Sequence, residues 1–167
     1  VQHKIMTDFD VYYYGIPLVI ALIAAEFIYS YINKKDFYKK DDTLASMGLL
    51  AGNVAVSLIT KGSILLLYIY FYKFRLFTIN DLLPIWAVWA LTFIVIDFVY
   101  YWYHRCSHRI RFLWAVHMNH HSSEEMNYVV SLRQAWFGPI TKIPFFIFMP
   151  IVGFDPLITL VAGVAST

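Results

Sequence analysis

An all-α integral membrane bundle is the fold class this sequence predicts, and three observations predict it. Apolar residues make up 60% of the 167 residues, against roughly half in an ordinary soluble domain. Charged residues supply 14%, where about 25% is usual. The apolar residues also fall into runs of membrane length, with Tyr and Trp grouped near the run ends, as at membrane interfaces. Residues 1–167 read as a single membrane domain of about three spanning helices followed by a histidine-rich region, a surface helix and a hairpin of short helices.

The first spanning helix is expected over 12–32, "YYYGIPLVIALIAAEFIYSYI", which meets the requirement of about 20 residues. Its one charge, Glu26, is expected near the interface or paired inside the bundle. The second run, 44–72, is interrupted by Lys61, which should face protein or water because a lysine at mid-membrane costs about 2.5–3.5 kcal/mol. A long tilted helix, or one broken at "KGS", fits it. The third run, 82–103, leads directly into the histidines, and Pro84 suits its first turn. The histidine region covers 104–125. An interfacial helix and a partial hairpin are expected over 126–167. The stretch "SSEEMNYVVSLRQAWF" reads as a helix along the membrane surface, and Ser122 and Glu125 have capping-box spacing at its start. Beyond it Pro144, Pro150, Gly153 and Pro156 break the apolar sequence into pieces too short to span.

Charge and cysteine content exclude several classes. A net charge of +2 is too small to indicate nucleic-acid binding, and a single cysteine, Cys106, excludes an intrachain disulfide framework. "DFD" rather than a basic region precedes the first apolar run, so no cleavable signal peptide is expected. The sequence starts at Val1 and stops inside an apolar run at Thr167, and it is expected to be C-terminally incomplete. Seven basic residues lie in the 33–43 loop and just after the third run, against three (Lys4, Lys73 and Arg75) on the opposite side. The positive-inside rule therefore predicts that the histidine region faces the cytoplasm. The membrane would be the endoplasmic reticulum in a eukaryote and the cytoplasmic membrane in a bacterium.

Five of the six histidines, His104, His108, His117, His120 and His121, lie within eighteen residues, while His3 lies near the N-terminus. His104 and His108 are four apart and share a helix face; His117, His120 and His121 have i, i+3, i+4 spacing and do the same. Nine steps separate His108 from His117, about 900° of helical rotation, so one unbroken helix would aim the groups apart. A shared site demands a bend within "RIRFLWAV", which has no Gly or Pro to mark it. Asp97, Tyr101, His104 and His108 form one polar stripe, making Asp97 and Tyr101 candidates to orient a ligating imidazole. Glu124 is a further candidate for that role. Arg133 and Trp114 are candidate substrate or headgroup contacts. No nucleophile is indicated. On ligand type alone, imidazoles suit Fe, Zn, Cu or Ni.

"HRCSH" matches HxxxH and "HMNHH" matches HxxHH. With the frame "DFVYYWYHR…LWAVHMNHHSSEEMN…SLRQ", residues 94–136 resemble the fatty acid hydroxylase and sterol desaturase superfamily, nearest its alkylglycerol monooxygenase and bacterial sterol-desaturase-like branch. The resemblance implies a membrane-embedded non-haem di-iron centre with all five box histidines as iron ligands. Such a centre uses O₂ and two electrons to hydroxylate or desaturate a C–H bond of a lipid of sterol, fatty acyl or alkylglycerol type. An external reductant is also implied, either a small electron-donor protein or, in the alkylglycerol branch, a reduced pterin. The family pattern includes a third histidine-rich box further downstream. No histidine follows His121, and five imidazoles cannot saturate two irons. Either further ligands lie beyond Thr167, or the site is finished elsewhere, or it is not a working oxygenase; the abrupt end at Thr167 favours the first. Two other readings stay open: a membrane module holding zinc or another single ion without redox chemistry, and haem binding through paired histidines.

Overall fold

The computed structural model describes residues 8–166, so His3, Lys4 and Thr167 lie outside the described residues. Among these residues the secondary structure is entirely helical. The long helices are α1 (Asp8–Ile32), α2 (Lys40–Tyr72) and α4 (Ile85–Ser107), with a one-turn α3 (Ile79–Leu82) between the last two. α5 (Arg111–His117), a 3-10 turn (Met118–His121) and α6 (Tyr128–Ser131) build the histidine region. α7 (Gly138–Phe146), α8 (Phe148–Val152) and α9 (Pro156–Ala165) complete the chain.

α1, α2 and α4 are each long and apolar enough to cross a membrane. At 1.5 Å per residue α4 measures about 35 Å and α2 about 50 Å, against a hydrocarbon core of about 30 Å. Their outer faces are apolar: Leu58 and Ile59 are each 76% exposed, and Ile94 and Phe98 are also open. Such a surface is stable only against lipid or another apolar partner. The buried core lies around the first half of α4, where Val88 and Ile96 pack with Ile79, Met149, Phe154 and Ala162. α4 is thereby clamped to α8 and α9, and its C-terminal half, carrying the histidines, projects from a fixed base.

α2 runs unbroken through Lys61–Ser63, in line with the long-helix alternative rather than a break at "KGS". Other boundaries differ from the expectations. Pro84 is the N-cap of α4, in extended conformation, rather than a first-turn residue. The surface helix is reduced to the single turn of α6, and the Ser122–Glu125 capping box does not form. Ser122 donates instead to the Asn119 carbonyl, Glu125 pairs with Lys39, and the Asn127 side chain caps α6 by accepting from the Val130 amide. Glu26 does pair inside the bundle: its carboxylate accepts from the Tyr38 hydroxyl at 2.6 Å and the Tyr128 amide at 2.7 Å.

Two glycines permit close approaches. Gly153 has φ +123°, and a Cβ there would overlap the Phe77 carbonyl. Its conformation ends α8 and lets the α2–α3 link pair with the chain at Ile151 and Gly153. A Cβ on Gly52 would overlap the Trp136 indole, so the missing side chain lets Trp136 pack directly on the α2 backbone. The Asn53 side chain fastens the same approach by donating to the Ala135 carbonyl at 2.8 Å.

Candidate metal centre

The two histidine groups meet because α4 ends between them. Ser107 is its last residue, His108 caps it, and the amides of Arg109 and Ile110 both donate to the Cys106 carbonyl at 3.0 and 2.8 Å. Ile110 is extended, and α5 starts afresh at Arg111. Hydrogen bonding to a helix-end carbonyl thus makes the bend, with no glycine or proline in it. Leu113 and His117 are the buried face of α5, which turns His117 back towards α4.

The result is a compact group. One ring nitrogen from each of His104, His108, His117 and His121 lies within 4.8 Å of all the others. The Nε2 atoms of His104 and His108 are 3.0 Å apart, and those of His117 and His121 are 3.1 Å apart. Two nitrogens each bound about 2.1 Å from one ion, roughly at a right angle, would lie about 3 Å apart, so the donor set fits a metal. Trp114 covers one side, with its ring stacked on His121 at 5.9 Å and tilted against His108 at 5.4 Å. Cys106 is half-buried and outside the group, as a spacer would be.

Burial pushes the pKa of His117 down to about 4, and the neighbouring imidazoles of His104, His121, His108 and His120 push in the same direction. His121 is lowered as well, first by burial and then by the adjacent rings. Both rings are therefore neutral at physiological pH, the protonation state a metal ligand requires.

His120 borders the group without joining the four converging nitrogens. Its ring is 5.8 Å from that of His117 and 5.2 Å from that of His121. Its Nδ1 donates to the Arg133 carbonyl at 3.1 Å. Asp97 and Tyr101 line an open cavity of about 370 Å³ with Tyr100, His104 and Arg105. Tyr101 accepts from the Arg105 guanidinium at 2.7 Å, and among the described residues neither Asp97 nor Tyr101 hydrogen-bonds a histidine. Glu124 is exposed. Arg133, expected as a headgroup contact, is only 3% exposed and turns its guanidinium onto the protein's own groups.

Two of those groups, Asp42 and Ser46, belong to the first turns of α2 and were not singled out from the sequence; the third, Ser122, was expected only as a helix cap. Arg133 donates to both the carboxylate and the carbonyl of Asp42, and to the hydroxyls of Ser46 and Ser122. Asp42 also accepts from the Ser123 hydroxyl at 2.8 Å. Acidic residues before an apolar run do mark a helix start. Nothing local tells that Asp42 meets an arginine 91 residues away.

Residues 89–167 match the model of the fatty acid hydroxylase family. Over 121 residues the chain is 37% identical to alkylglycerol monooxygenase of Homo sapiens, an alignment covering 71% of this chain and 27% of that protein. With alkylglycerol monooxygenase of Caenorhabditis elegans the identity is 30% over 119 residues, covering 70% and 23%. With that of Xenopus tropicalis it rises to 50% over 48 residues, covering 29% and 11%. The chain thus spans at most 27% of the length of these relatives. No solved structure matches it.

Proposed function

From the chain's membership of the fatty acid hydroxylase family, we infer that it carries the metal-binding part of an O₂-dependent, membrane-embedded lipid hydroxylase or desaturase. The observation that carries this reading is the convergence of His104, His108, His117 and His121 from two separate helical segments. His120 completes the set of five imidazoles, and iron is the metal we assign to them, as a di-iron centre. Non-haem iron, when bound, supplies the activation of O₂ that oxidation of an unactivated lipid C–H bond needs, with two electrons from an external reductant.

The chain's own residues perform the remaining tasks in this reading. The buried, neutral ring of His117 is a ligand without competition from a proton. Trp114 shields the His108 and His121 side from water. The cavity beside His104 is walled by Tyr100 and Tyr101 on an exposed face of α4, which supports approach of an alkyl chain directly from the bilayer. Asp97 and Tyr101 would orient that region, and Glu124 the entrance to the second histidine group. The names of the relatives favour an alkylglycerol-type lipid over a sterol or a free fatty acyl chain. The external reductant in this reading is a small electron-donor protein or a reduced pterin. The histidine end is assigned to the cytoplasmic side on its excess of basic residues.

The test is metal analysis of the purified protein together with O₂-dependent conversion of an alkylglycerol. Iron should be present, and His117→Ala should lose both the metal and at least about 100-fold of the turnover. A protein holding only zinc, with no O₂ consumed, would establish the redox-silent metal module instead. A Soret band would reassign the histidines to haem.

A further inference from the structure

Arg133 lies twelve residues beyond the second histidine group and touches none of the four clustered rings, yet it is among the most buried charged residues described. Its side chain makes four hydrogen bonds. Nε donates to Ser46 Oγ at 3.1 Å and Nη1 to Ser122 Oγ at 2.7 Å, while Nη2 donates to the Asp42 carbonyl at 3.1 Å and to Asp42 Oδ1 at 2.7 Å. Ser46, itself fully buried, donates to the Asp42 carbonyl at 2.9 Å. The other carboxylate oxygen of Asp42 accepts from Ser123 at 2.8 Å. One guanidinium and one carboxylate therefore bind the first turns of α2 to Ser122 and Ser123.

The backbone of the same arginine faces the histidines. Its carbonyl accepts from His120 Nδ1, and a carbonyl can only accept, so the proton of a neutral His120 sits on Nδ1. The lone pair then resides on Nε2, the nitrogen through which the 104/108 and 117/121 pairs approach one another. A hydrogen bond from the far nitrogen of a ligating imidazole to a carbonyl sets both the tautomer and the ring orientation. The carbonyl can do this only if its own position is rigid, and rigidity is what the four side-chain bonds confer, three to α2 and one to Ser122.

We propose that Arg133, locked by Asp42, is a positioning residue that holds His120 as an Nε2 metal ligand and so couples the placement of α2 to the metal centre. The proposal rests on the metal-centre reading for its ligand role, but the tautomer it requires exists without metal.

The experiment uses the full-length protein in detergent, with Asp42→Asn to remove the charge while keeping the size of the anchor. Histidine ¹⁵N spectra of the metal-free protein should show His120 protonated on Nδ1, and in Asp42→Asn a mixture of tautomers. Co(II) titration followed by visible absorption should show affinity reduced about tenfold or more, with one fewer nitrogen ligand. If Asp42→Asn does not yield folded protein, Ser122→Ala, which removes one arginine contact and no charge, carries the same measurements. A variant with lowered thermal stability but unchanged tautomer and Co(II) affinity would show that Arg133 is only a structural tie, and would overturn the proposal. Failure of the wild-type protein to bind any metal would refute the metal-centre reading; the Nδ1 assignment and its loss in Asp42→Asn would still decide whether Arg133 positions His120.

Discussion

His117 shows how a single residue's surroundings set its chemistry. It is 8% exposed and surrounded by other imidazoles. In the unfolded chain its ring takes up a proton near 6.5, but in the folded protein only near 4. Between those values the unfolded state binds more protons, so stability rises with pH across this window. It is lost as pH falls from about 6.5 towards 4. The lowered value of His121 acts in the same direction. Metal-free protein should therefore hold a constant melting temperature above about pH 7 and lose it progressively below 6.5, and His117→Ala should flatten much of that slope. An unchanged slope in the variant would mean that the acid sensitivity originates elsewhere. Arg133 presents the contrasting case of a buried charge whose guanidinium is hydrogen-bonded to Asp42, Ser46 and Ser122. Breaking such a pair by removing one partner costs about 3–5 kcal/mol when fully buried, and somewhat less here because Asp42 retains 19% exposure.

At the scale of elements, the decisive feature is the interruption between α4 and α5. A helix continuing through Arg109 would separate the two histidine groups by its own rotation. The turn at 108–110 folds α5 back and brings the rings of His104 and His117 to 4.7 Å. α4 can present its histidine end this way because its other end is clamped by α8 and α9, and that clamp depends on Gly153. Alanine at Gly153 would carry a strained φ and press on the Phe77 carbonyl, so Gly153→Ala should destabilise by about 2–4 kcal/mol. The histidines lie towards the opposite end of α4, so Co(II) affinity of the folded variant should stay within about threefold of wild type. Thermal unfolding and a Co(II) titration in detergent check both parts; normal stability would show that the α2–α3 link can shift to accommodate a methyl group.

For the whole molecule, the arrangement separates an apolar, lipid-facing half from one polar end. The 33–43 loop and the histidine region occupy that same end. Lys39 pairs with Glu125, and the Asn127 side chain donates to the Phe37 carbonyl at 2.6 Å. Their basic residues therefore count on one side of the membrane, which is the assumption behind the cytoplasmic assignment. Single cysteines introduced at Lys35 and Lys73 in a Cys106→Ser background test it. In intact cells a membrane-impermeant maleimide should label Lys73→Cys and spare Lys35→Cys, and the reverse pattern would invert the topology.

Composition and periodicity were sufficient for the helical membrane class and the three long apolar helices, because the bilayer imposes length and hydrophobicity on each spanning segment separately. Spacing was sufficient to pair His104 with His108 and His117 with His121, since helical neighbours lie three or four residues apart. The surface helix was over-read because Ser122, Glu125 and Asn127 found partners outside their own segment. The placement of His120 and the hold of Asp42 on Arg133 were decided only by tertiary structure, because each depends on a hydrogen bond whose partner is chosen by packing, and Asp42 and Arg133 are 91 residues apart. The bend at 108–110 is closed by local bonds to the Cys106 carbonyl, but no Gly or Pro marks its place in the sequence.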